Sequence, residues 1–180
     1  MQLLRYENSL EEILSPSNQP KIFLAGCTVR GNQQHLTSWR IEAVETFERL
    51  GFEGTLIIPE FTDRAASDLG KDWIVTWEFT GLKEADCILF WIPRTRELIG
   101  LTTNFELGYW IGRERDKVIY GRPDDAYRIN YPDLMWVLDS EDIGVGQSTE
   151  IYKTLESTIQ ASIRLAKEQH SIRACERAEM

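Results

Sequence analysis

At 180 residues the chain is long enough to bury one sizeable core, and its 42% hydrophobic and 27% charged content is that of an ordinary globular domain. Its 29 acidic residues against 20 basic ones leave a formal charge of −9, which disfavours a nucleic-acid polymer as partner. No apolar run reaches bilayer length, and Met1-Gln2-Leu3-Leu4-Arg5 lacks the basic-then-apolar layout of a signal peptide, so a cytoplasmic protein with no membrane partner is expected.

Residues 1–20 read as a leader: a short amphipathic turn over Leu10 to Leu14, then the structure-breaking Ser15-Pro16-Ser17-Asn18-Gln19-Pro20. Residues 21–180 read as one domain. Lys21 to Ala25 is a short apolar run ending at Gly26, as in a buried strand. Gln33 to Leu50 carries Trp39, Ala43, Phe47 and Leu50 at helical spacing, with Gly51 as the stop. Thr55 to Ile58 is a second strand, and Trp73 to Ala85 a helix leading into the most apolar strand, Cys87 to Ile92. Asn104 to Arg115 reads as a helix, Lys117 to Gly121 as a strand and Leu134 to Leu138 as a fifth strand. Thr149 to Lys167 forms a long terminal helix on Ile151, Leu155, Ile159 and Ile163.

Strands that are continuously apolar, alternating with helices, imply a parallel sheet covered on both faces. The expected fold is therefore α/β: a single doubly wound, flavodoxin-like or Rossmann-like domain with a five-stranded parallel sheet and a long C-terminal helix. Ligands of such sheets bind beyond the carboxyl ends of the strands, near the switch point. Cys27 and Cys87 lie in apolar runs, where thiols act as small hydrophobes. With Cys175 the cysteines are odd in number and widely spaced, so neither a disulfide framework nor a zinc site is expected. His35 and His170 stand far apart and read as solvent-facing helix residues. No metal or cofactor is expected.

Three segments carry possible chemistry. Gly26-Cys27-Thr28-Val29-Arg30-Gly31-Asn32 follows the first strand, where a glycine lets backbone N–H groups approach a ligand. It lacks the endings of a Walker A or dinucleotide loop, and a plain tight turn explains it equally well. Trp73, Trp77 and Glu78 share a helix, and the tryptophans share a face that core packing alone would account for. Thr103 to Glu106 fits a capping box, worth ~1 kcal/mol. The same placement in a first turn keeps a carboxylate ionised, as a glycosyl-transfer nucleophile must be. Spacing does not separate those two readings.

Together Lys21-Ile22-Phe23-Leu24-Ala25-Gly26, Trp77-Glu78 with Leu82-Lys83-Glu84-Ala85-Asp86, and Thr103-Asn104-Phe105-Glu106-Leu107-Gly108-Tyr109 resemble the nucleoside 2-deoxyribosyltransferase superfamily, including its deoxynucleoside 5′-monophosphate N-glycosidase branch. The resemblance spans roughly residues 21 to 135 and is most specific in its last motif. It implies that Glu106 is the nucleophile forming a covalent deoxyribosyl-enzyme and that Glu78 contacts and protonates the leaving base. It implies a substrate pocket involving Phe23, Gly26, Cys27, Arg30, Trp77, Thr103 and Asn104, with Asn130 matching an asparagine that some members lend across a subunit interface. Two departures stand out: Phe23 occupies the position of a first-strand tyrosine, and Gly100 replaces an aspartate six residues before the nucleophile.

The expected function is base exchange on 2-deoxyribose, with deoxynucleosides and free nucleobases as partners. The alternatives are hydrolysis of a deoxynucleoside 5′-monophosphate and a nucleotide-binding domain without chemistry. The long terminal helix and six tryptophans suggest a partner surface, hence a homo-oligomer.

Overall fold

A computed structural model describes residues 1–29, 33, 35–63, 69–142 and 150–179. Five parallel strands, β1 (Gln2–Leu4), β2 (Lys21–Gly26), β3 (Thr55–Ile57), β4 (Cys87–Trp91) and β5 (Val118–Gly121), lie in the order β1-β3-β2-β4-β5. Among the described residues six α-helices accompany them: α1 (Leu10–Leu14), α2 (Trp39–Arg49), α3 (Lys71–Glu84), α4 (Leu101–Glu114), α5 (Asn130–Asp142) and α6 (Leu155–Glu179).

The continuous apolar runs have a direct cause. Alternate residues along each strand point to opposite faces, and here both faces are buried. Phe23, Ala25, Ile57, Ile88, Phe90 and Tyr120 pack under α1, α3, α4 and α5, among them Ile13, Trp77, Trp110 and Trp136. Ile22, Leu24, Leu56, Leu89, Trp91 and Ile119 pack under α2 and α6, against Phe47, Leu155 and Ile159. The doubly wound α/β architecture with its long C-terminal helix is thus as expected.

The membership of the sheet differs from expectation in one strand. Leu134 to Leu138 lies inside α5. Only Trp136 of that run is buried, while Leu134 and Leu138, four residues apart, are 54% and 46% exposed. A five-residue apolar run has no period of its own, and here it turns one side chain inward per turn. The fifth strand comes instead from the segment read as a leader: Gln2, Leu3 and Leu4 pair with Thr55, Leu56 and Ile57. Ser9 then caps α1 in a reciprocal box with Glu12.

Helix bounds shift for local reasons. α2 begins only after Ser38, whose hydroxyl accepts from the Arg40 N–H, and Gln34 lies outside the described residues. α6 begins at Leu155 and runs past Lys167 to Glu179, and Thr149 also lies outside the described residues. The histidines differ from expectation too. His35 sits in a turn against Glu97, and His170 on α6 is half-buried with Nδ1 3.4 Å from Asp86. Among the described residues, no helix is long and apolar enough to cross a membrane.

Candidate active site

After β2 the chain returns on one side to form β3 and then crosses to the other side to form β4. The switch point therefore lies at the carboxyl ends of β2 and β4, where doubly wound sheets open a crevice. A cavity of about 610 Å³ occupies that edge. Its floor is Phe23, Ala25 and Gly26 of β2 with Thr28. Pro59, Glu60 and Phe61 beyond β3 form one side. One face of α3 (Lys71, Ile74, Val75, Glu78, Leu82) forms another, and Thr102 and Glu106, four apart on α4, close it.

Two glycines permit this geometry. Gly26 has φ +143, and a Cβ there would lie 2.0 Å from the carbonyl oxygen of its β4 neighbour Trp91. Gly100 starts α4 in the left-handed region, at φ 58, with no side chain capping the helix. A Cβ at Gly100 would meet Cys27 Sγ at 2.5 Å, so the backbone has no room for the aspartate that the family pattern places there.

The capping-box reading of Thr103 and Glu106 does not hold. Because Gly100 is the N-cap, Thr103 falls three residues into α4 and is 1% exposed, and Glu106 belongs to the second turn. The dipole of α4 therefore acts on that carboxylate more weakly than a first-turn placement implies. What places Glu106 at the cavity is the helical phase it shares with Thr102.

Of the residues proposed from the sequence, Phe23, Gly26, Glu78 and Glu106 line the cavity together. Cys27 is fully buried behind it, with its thiol against Arg94 and Thr103; burial pushes that thiol up from its ordinary value. Asn104 is turned to Arg94 Nη2. Trp77 is fully buried and does not face the cavity: its indole N–H donates to the Asn8 carbonyl at 3.0 Å. Asn130 is exposed at the start of α5, away from the lining. Arg30 lies outside the described residues.

Several lining residues were not foreseen. Tyr6, just beyond β1, donates its hydroxyl to Glu78 Oε1. Burial first, and the neighbouring Glu78 charge second, push its ionisation far above the ordinary phenol range, and Glu106 adds to the same effect. Glu60 sits at the rim and pairs with Arg40 at 2.9 Å. Arg40 is 1% exposed; it also donates to the carbonyls of Leu24, Gly26 and Cys27 and to Thr28 Oγ1, holding the chain where it leaves β2. Neither Tyr6 nor Arg40 belongs to a sequence motif that would mark it.

Two carboxylates on different helices, facing one cleft at the switch point, suit attack at one side of a glycosidic bond and proton delivery at the other. A family model described as nucleoside 2-deoxyribosyltransferase like matches residues 19–124, and no curated protein matches the chain. The matched span runs from β2 to just past β5 and contains both carboxylates. Covering more than half of the sequence, it shows that the chain belongs to the nucleoside 2-deoxyribosyltransferase-like family.

Proposed function

We propose that the chain is a pentosyltransferase that exchanges nucleobases on 2-deoxyribose through a covalent glycosyl-enzyme on Glu106. The observation that supports this best is the convergence of Glu78 and Glu106 on one cavity above Gly26. In the first half-reaction a Glu106 oxygen bonds to C1′. The electron pair of the C1′–N bond passes to the base nitrogen, which takes a proton from Glu78. A second nucleobase then attacks C1′ and gives its proton back to Glu78, while the C1′–O bond breaks and its electron pair returns to the Glu106 carboxylate. Glu60, held by Arg40, is less available as a proton carrier.

Incubation with a deoxynucleoside and a different free base tests this reading, which predicts the exchanged nucleoside. Mass spectrometry after a 2-fluoro-deoxynucleoside should find a sugar adduct on Glu106 and none in Glu106→Ala. Absence of both exchange and base release from the wild-type protein refutes it.

One observation favours hydrolysis of a deoxynucleoside 5′-monophosphate as a second reading. The start of α4 carries no capping side chain. Close by, Arg94 is 4% exposed, and its Nε has no hydrogen-bond partner among the described residues. An uncapped helix start beside a buried cation favours an anion. A kcat/KM higher for the nucleotide than for the nucleoside selects that reading.

We also infer self-association, on grounds other than the tryptophans. Trp39, Trp77, Trp91, Trp110 and Trp136 are interior. Exposed apolar side chains instead include Val75 and Phe79 of α3, Leu101 and Phe105 of α4, and Tyr131 and Leu134 of α5. Asn130 is exposed on the same helix as the last two.

A further inference from the structure

Tyr6 lies outside the residues matched by the family model, yet its ring lines the cavity and its hydroxyl reaches Glu78. Its position is fixed from several sides. The ring packs at 4.8 Å from Phe61 and 5.1 Å from Trp77, between centroids. Its N–H donates to the Glu60 carbonyl at 3.4 Å, and its own carbonyl accepts from Trp73 Nε1 at 3.5 Å. Trp77 Nε1 binds the Asn8 carbonyl two residues on. Two indoles of α3 thus hold the segment that carries Tyr6, and Tyr6 in turn holds a carboxylate of the same helix.

We propose that Tyr6 is a positioning residue for Glu78, occupying one carboxyl oxygen so that the other faces the nucleobase. This role rests on the glycosyl-transfer reading above. With Oε1 accepting from the phenol, a proton on Glu78 sits on Oε2. That proton moves to the base nitrogen as the nitrogen takes the C1′–N electron pair and Glu106 bonds to C1′. In the second half-reaction Oε2 takes the proton of the incoming base. The phenol donates throughout and keeps its own proton, since burial and the two carboxylates oppose its ionisation. Donation to Oε1 stabilises the ionised carboxylate, so it assists release of the proton from Oε2.

A buried tyrosine that merely fills the core predicts a different pattern from one acting through Glu78. The test uses Tyr6→Phe, which keeps the ring, with Glu78→Gln and the double variant, on two substrates. One is an ordinary deoxynucleoside; the other is a 2-deoxyriboside with a weakly basic nitrophenolate leaving group that departs without acid help. Tyr6→Phe is expected to lower kcat on the nucleoside about 10- to 100-fold with KM nearly constant, less than the roughly 100- to 10,000-fold that a general acid itself contributes, because the acid is still present. On the nitrophenolate substrate it should change kcat less than about threefold, because no acid is needed there. The limb of the pH profile that Glu78→Gln abolishes should move to higher pH. Adding Tyr6→Phe to Glu78→Gln should cost little more. Equal losses on both substrates, or losses that multiply in the double variant, overturn the role while leaving glycosyl transfer intact. A wild-type protein that turns over neither substrate overturns the reading and the role together. Thermal unfolding of each variant identifies loss of fold; should Tyr6→Phe not fold, the same paired comparison on Tyr6→Leu decides.

Discussion

Replacing Arg40 by Met removes a buried cation whose guanidinium makes one ion pair and contacts to three backbone carbonyls at the carboxyl end of β2. The side chains of Arg40 and Glu60 are 1% and 12% exposed, so the variant leaves Glu60 at the cavity rim largely buried and without its countercharge. Breaking a buried pair from one side costs about 3–5 kcal/mol. In a chain of this length each kcal/mol lowers the unfolding midpoint by roughly 2–4 °C, so a fall of about 6–20 °C is expected by circular dichroism. The pair Arg49–Glu156, with side chains 57% and 49% exposed, is the control, and Arg49→Met should cost under ~1 kcal/mol. Because the penalty comes from an uncompensated charge, Arg40→Met combined with Glu60→Gln should recover a large part of it. A loss from Arg40→Met no greater than that from Arg49→Met, or a double variant no more stable than the single one, refutes the reasoning.

Gly26→Ala should cost ~3 kcal/mol or more, read as a fall in the urea midpoint, because its Cβ would lie 2.0 Å from the Trp91 carbonyl between the two central strands. Burial pushes the Cys87 thiol from 9.0 up to about 12, so the folded state keeps a proton that the unfolded chain loses. The stability this contributes is complete below about pH 9 and is lost as pH rises towards about 12; Cys87→Ala should flatten that alkaline fall in the urea midpoint. Phe105→Glu places a charge on a residue that is 77% exposed, so it should leave the unfolding midpoint within ~0.5 kcal/mol of wild type yet reduce the mass seen by light scattering. An unchanged mass would count against self-association through that face.

The three central strands were readable because burial on both faces turns a strand into an unbroken apolar word, as in Cys87 to Trp91. That Glu78 and Glu106 both line the cavity could be anticipated from the family motifs that carry them, whereas spacing alone left each open to a plain helix role. β1 was not, since three residues hold no period and Gln2 to Leu4 become a strand only by pairing with residues more than fifty positions away. Tyr6 was hidden for the same reason: its place at the cavity is set by that pairing. The periodicity of α3 showed that Trp73 and Trp77 share a face, but not that the face meets the β1–α1 segment rather than the cavity. The Thr103–Glu106 pattern misled because the left-handed Gly100 begins the helix earlier than any side-chain cap would.

β1 is three residues long and forms one edge of the sheet, whereas the floor of the cavity belongs to its centre. Short edge elements open with a smaller free energy than the strands behind them. Detachment of β1 would carry Tyr6 from Glu78 while β2, β4 and Glu106 keep their places. Heating should therefore extinguish turnover of ordinary nucleosides several degrees before the sheet melts. The amides of Tyr6 and Ile58, bonded to the Glu60 and Leu4 carbonyls, should exchange with deuterium at that earlier temperature, making the short edge strand the thermal fuse of the site.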